Sequence, residues 1–125
     1  MTWGKTYIKT WDDADKYYHD HPRRHWGTGT MVQEVQLYNN TWLQRYVRSD
    51  GLVEYSIRYH FSQVVTYYPG GGIYTNPHDW YTKTTLERIN DHTPNWFRVT
   101  RRKFVWYTPD GSKYMPGYIN ASLND

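Results

Sequence analysis

With 125 residues and no Cys, the chain has the length of one domain and excludes a disulfide framework or a thiolate metal site. Its 14 Tyr and 7 Trp against 3 Phe exclude the aromatic-poor disordered class, although mean hydropathy is only -0.98. A net charge of +3 and a pI of 9.0 give a mild bias toward anionic partners, and no run approaches the length of a membrane span.

The first residues, MTWGKTYIKTWDDAD, contain no apolar leader, so a cytoplasmic protein is expected. Residues 10–19 predict a short helix capped by Thr10, with Asp13 three residues on, beside the positive end of the dipole. Pro22, Gly27 and Gly29 break the next stretch into a loop that carries His19, His21, Arg23, Arg24 and His25. From Met31 to Tyr38 the alternation predicts a strand, and Asn39-Asn40 predicts a hairpin turn. Thr41–Arg48 is a second strand, ended by the turn Asp50-Gly51. Leu52–Phe61 alternates most cleanly, with Val53, Tyr55, Ile57, Tyr59 and Phe61 on one face and Glu54, Ser56, Arg58 and His60 on the other.

Val64–Tyr68 and Ile73–Thr75 are further strands around the turn Pro69-Gly70-Gly71-Gly72. Thr84 and Glu87 fit a capping box for a short helix near 84–92, with Leu86 and Ile89 on one face and Pro94 as its stop. Phe97–Thr100 and Phe104–Thr108 read as strands, and their change of parity calls for a tight turn or a bulge at Arg101-Arg102-Lys103. The expected fold is a single α+β domain: helix and loop over 1–30, a β-rich core over 31–117 and a polar tail over 118–125. The sheet is expected to be mainly antiparallel, curled into a roll or partly open barrel, with one edge strand able to support self-association.

Tyr and Trp join a flat ring to a polar handle, which suits surfaces that bind partners, nucleotides or unstacked bases. The basic triplet Arg101-Arg102-Lys103, with Arg98 and the rings of Trp96, Trp106 and Tyr107 close in sequence, can hold phosphates and stack bases. A solvated hairpin tip accounts for the same residues. Arg88 with Thr84 and Thr85 can meet an anion at a helix start, or simply cap it. Arg58 lies on a strand face where Trp42 and Tyr46 share its side or are core, depending on one step of register. Trp80 and Tyr81 fall in a loop, where a core has less claim on rings. His19, His21 and His25 are weak metal candidates, since their spacing matches no closed zinc signature, and a polar loop explains them as well. Gly70-Gly71-Gly72 lacks the Lys-Ser/Thr of a P-loop, and no G-x-S-x-G is present.

Residues 52–108 contain Val64-Val65-Thr66-Tyr67-Tyr68, then Trp80-Tyr81-Thr82-Lys83-Thr84-Thr85-Leu86-Glu87-Arg88-Ile89-Asn90, then Phe104-Val105-Trp106-Tyr107. This order resembles small phage and prophage proteins with a W/Y-x-T-x-T-T-x-x-R-I-N segment. The resemblance implies a viral or mobile-element origin and a setting in the cytoplasm of an infected host cell. It brings no catalytic residues with it.

The reading that follows is a non-enzymatic binding module, without cofactor, for an anionic aromatic ligand: a nucleotide, a nucleotide signal or single-stranded nucleic acid. Arg58, Arg88, Arg98, Arg101, Arg102 and Lys103 are the phosphate candidates, and Trp80, Tyr81, Trp96 and Trp106 the stacking candidates. With the phage resemblance, a counter-defence role is the expected context. Two other classes stay open: a protein-interaction or assembly protein, such as a virion component or an inhibitor of a host enzyme, and a metal-dependent nuclease built on the His loop.

Overall fold

The computed structural model describes residues 8–21, 24–25 and 32–121. Helix α1 spans Trp11–Asp20, and Thr10 caps it as the sequence predicts, its side chain accepting from the amide of Asp13. The strands are β1 (Arg24–His25), β2 (Gln33–Tyr38), β3 (Thr41–Val47), β4 (Val53–Tyr59), β5 (Ser62–Tyr67) and β6 (Gly72–Thr75). Helix α2 (Lys83–Asp91) and a helical turn at Asn95–Phe97 follow, then β7 (Thr100–Arg102), β8 (Val105–Tyr107) and β9 (Gly117–Asn120). Seven strands form one antiparallel sheet in the order β1-β2-β3-β4-β5-β6-β9, while β7 and β8 make a separate ribbon. The expected α+β class with a mainly antiparallel sheet is correct, and among the described residues the sheet is not closed into a barrel.

Both faces of the central strands are covered, which β4 shows by burying Tyr55, Ser56, Ile57 and Arg58 in succession. One face carries Val35, Leu43, Ile57 and Val65 in register, with Tyr55 and Tyr67 opposite each other. Helices α1 and α2 lie on this face, and tyrosine hydroxyls fasten them to it. Tyr55 donates to Asp15 Oδ1 at 2.6 Å, and Tyr67 donates to the carbonyls of Ile8, at 3.0 Å, and His92. The Tyr38 hydroxyl lies 2.8 Å from His92 Nε2 and 3.3 Å from Asp91 Oδ2, and Tyr114 meets Thr75 Oγ1 at 2.7 Å. The preference for Tyr over Phe is therefore partly a core property: each ring fills the interior, and each hydroxyl ties one layer to the next.

The other face carries a polar row, Glu34, Gln44, Ser56 and Thr66, directly opposite one another across β2 to β5. All four are buried. Glu34 Oε1 accepts from Gln44 Nε2 at 3.1 Å and from Arg58 Nη2 at 2.9 Å, and Ser56 meets Thr66 at 3.0 Å. The register thus places Trp42 and Tyr46 on the side of Glu54 and Arg58, but the middle of this face is sealed rather than wet.

Four local expectations are corrected. Phe61 does not continue the core face, because the chain reverses at His60-Phe61, with His60 at a φ of 54°. The cap of α2 is Thr82, not Thr84: Thr82 Oγ1 accepts from the Thr85 amide at 3.2 Å. Phe97 belongs to a helical turn, and the strand after it starts only at Thr100. Residues 118–120, expected in a polar tail, are part of β9, which pairs with β6.

Candidate binding surface: a basic ribbon beside an aromatic cleft

The ribbon is built by register. Thr100 faces Tyr107, Arg101 faces Trp106 and Arg102 faces Val105, so the two-residue turn falls on Lys103 and Phe104. Both turn residues have positive φ, 49° and 70°, where Asn or Gly is the usual occupant of such a hairpin. Phe104 is 80% exposed there. Arg101 lies over the Phe104 ring at 5.0 Å, and Arg102 over the Tyr107 ring at 4.5 Å. Each ring presets the plane of a guanidinium while its N–H fork stays available. Arg98, Arg101, Arg102 and Lys103 are all exposed. Among the described residues none of them pairs with a carboxylate.

The root of the ribbon is rigid. Trp106 is 2% exposed and packs edge-on against Tyr81, with centroids 4.8 Å apart, and against Tyr114 at 5.5 Å. Tyr114 is buried, and burial pushes its hydroxyl up to about 12, so it stays protonated while it bonds Thr75 on β6.

A cleft of about 510 Å³ opens between the β4–β5 turn, the loop after β6 and the first turn of α2. Its walls include the buried Val64, Pro77 and Thr85 and the half-buried Tyr59. Phe61, 88% exposed, and Trp80, 63% exposed, also line it, with Ser62, Thr82 and Thr84 supplying hydroxyls and His60 an imidazole. Its size lies within the roughly 300–1,000 Å³ of small-ligand sites.

Local bonding holds both aromatic walls. The His60 amide donates to the carbonyl of Asn40 at 2.8 Å, and the buried Arg58 donates to the carbonyl of His60. Arg58 is itself held by Glu34. The Glu34–Arg58 pair thereby fixes a turn that has no Gly or Asn. On the other wall, Asn76 Oδ1 accepts from the His78 amide at 2.8 Å, and the Trp80 amide donates to the carbonyl of Pro77 at 2.9 Å. His78 Nε2 lies 2.8 Å from the carbonyl of Gln63, so it carries the proton and joins this loop to β5. His78 and Asp79 both sit at positive φ, 52° and 68°. Behind the cleft, Arg88 lies over the Tyr59 ring at 4.4 Å and donates to Thr41 Oγ1 at 3.2 Å.

The residues singled out from the sequence thus divide. Arg98, Arg101, Arg102 and Lys103 are exposed, and so are Trp80 and Tyr81, at 63% and 39%. Arg58 and Trp106 are buried, which takes them out of direct contact with a ligand in this structure. Arg88 is engaged with Tyr38, Tyr59 and Thr41, and Trp96 is half-buried against Phe97. His19 and His21 turn their Nδ1 atoms to the carbonyls of Asp15 and Tyr17, and the side chain of His25 lies outside the described residues. Among the described residues no group of three His, Cys, Asp or Glu could hold a metal. Sequence reasoning missed Phe61 and Val64, and placed His60 on the face of Arg58 rather than at this cleft, because the alternation of β4 runs unbroken through Phe61. The one signal was the doublet Val64-Val65, where a bulge lets both side chains be buried.

No protein-family model matches the chain, and comparison with curated proteins and with solved structures finds no match either.

Proposed function

We propose that the protein is a non-enzymatic binding module for a phosphate-bearing aromatic ligand, a nucleotide or single-stranded nucleic acid. One observation carries this reading: a ribbon with three exposed cations, Arg101, Arg102 and Lys103, and a fourth, Arg98, just before it in the chain, none with a carboxylate partner among the described residues and two laid on rings. Guanidinium forks of this kind suit phosphate, and their release of counterions drives association with polyanions. Tyr81, 39% exposed, packs on Trp106 of the ribbon, and Trp80, the residue before it, is 63% exposed. The resemblance of residues 52–108 to phage and prophage proteins extends the reading to counter-defence, by sequestering a host nucleotide signal or occupying a nucleic-acid machine.

The test is equilibrium binding of a fluorescent single-stranded oligonucleotide to the wild type and to Arg101→Ala/Arg102→Ala. A loss of about tenfold or more at low salt is expected from removing two phosphate contacts. Equal affinity of the two proteins contradicts the reading. A second reading, recognition of a protein partner, is favoured by Phe61 and Phe104, which stand 88% and 80% exposed. A stable oligomer or host-protein complex, with no affinity for nucleotide or oligonucleotide, would favour it.

A further inference from the structure

The cleft and the ribbon are joined by two consecutive residues. Trp80 lines the cleft, and Tyr81 packs on Trp106, whose partner across the ribbon is Arg101. The chain therefore passes from a residue that lines the cleft to one that packs on the basic ribbon within one step, about 3.8 Å of backbone. The two surfaces differ in chemistry. The cleft offers rings and aliphatic surface, with hydroxyls from Ser62, Thr82 and Thr84, the His60 imidazole, and no Arg, Lys, Asp or Glu among its described lining residues. The ribbon offers cations.

We infer that the cleft is a subsite for one unstacked base of a single-stranded nucleic acid, whose neighbouring phosphates lie on the ribbon; the inference rests on the function proposed above. An anion gains little from the apolar walls, whereas a heteroaromatic ring gains apolar contact there and can meet the hydroxyls of Ser62 and Thr84 with its polar edge. Phe61 and Trp80 line it with exposed aromatic rings, the kind of side chain on which single-strand binders stack bases. A paired base does not fit this role, because it must leave the duplex stack before it can enter a cavity.

The test compares a strand of about twelve deoxyadenosines with an equally long strand of abasic sites, which keeps the backbone charge and removes every base. Affinities are read by fluorescence anisotropy. The intact strand should bind roughly tenfold or more tightly than the abasic one. That gap should vanish in Trp80→Ala and in Phe61→Ala, whose side chains are exposed enough for the fold to survive, as circular dichroism would verify. The salt dependence of both variants should match the wild type. If intact and abasic strands bind alike with steep salt dependence, the ribbon stands and the base subsite is wrong. A gap that persists in both variants, or a duplex that binds as tightly as the intact strand, overturns the subsite too. If neither strand binds, the proposed function falls and the subsite falls with it.

Discussion

His92 shows how one residue links sequence to stability. It ends α2 with its side chain fully buried, Nδ1 2.9 Å from the carbonyl of Ile8 and Nε2 2.8 Å from the Tyr38 hydroxyl. Burial, the largest influence, disfavours the charged ring and lowers its pKa from 6.5 to about 4, so the folded protein holds a neutral imidazole whose Nε2 can accept from Tyr38. The unfolded chain takes up the proton near 6.5 and the folded one only near 4, so stability is full above 6.5 and drains away as pH falls through that window. A loss of about 3 kcal/mol is expected across it, from 1.36 kcal/mol per unit. Urea denaturation at about pH 7 and about pH 4.5 measures this, and the slope should shrink in His92→Gln. The ribbon turn makes the opposite kind of case. Lys103 and Phe104 hold positive φ at a cost that Asn-Gly would avoid. Lys103→Asn/Phe104→Gly should raise stability by about 1 kcal/mol while weakening oligonucleotide binding, since it deletes a cation and the ring beneath Arg101. A variant both more stable and equally tight would separate the turn from binding.

Helix α2 shows what a local signal can and cannot specify. Its sequence holds Thr82, Thr84 and Thr85, and the S/T-x-x-E pattern selects Thr84, yet Thr82 is the cap. The structure starts the helix earlier because Thr85 and Leu86 must both face the core, and both are buried. Thr82→Ala should therefore cost about 1 kcal/mol in thermal unfolding and Thr84→Ala almost nothing; the reverse order would reinstate the sequence-based cap. Lys9 closes the other end of α2, its ammonium donating to the carbonyls of Asn90, Asp91 and Thr93 at 3.0 to 3.3 Å. No pattern near Lys9 announces that bond, which spans more than eighty residues of chain. The same division runs through the sheet. Strands β2, β3 and β4 were legible because Asn39-Asn40 and Asp50-Gly51 mark their ends. The turn at His60-Phe61 was not, since its support comes from Arg58 and the distant Asn40. Strand β9 was hidden for a similar reason: its pairing with β6 is long-range, and Gly-Tyr-Ile-Asn is too short a run to declare itself.

Taken whole, the molecule separates two uses of its aromatic residues. Tyr38, Tyr55, Tyr67 and Tyr114 anchor helices, ribbon and sheet to one another through buried hydroxyls. Phe61, Trp80 and Phe104 stand at the surface, close to turns with positive φ. Of the first set, Tyr55 was readable from alternation along its strand, whereas Tyr114 lies outside any strand and gives no such signal. The second was readable only where a ring fell in an evident loop, as Trp80 did, and not where a hidden turn exposed it, as at Phe61. Charge is partitioned as well. Arg58 and Arg88 are spent on the fold, whereas Arg98, Arg101, Arg102 and Lys103 remain exposed. The central claim, that these four cations meet phosphates, is tested most directly by the dependence of single-stranded DNA affinity on salt. Four contacts predict a slope of log K against log salt of about -3, and Arg101→Ala/Arg102→Ala/Lys103→Ala should bring it to about -1. Affinity that does not respond to salt, or a slope unchanged in the triple variant, would contradict the account.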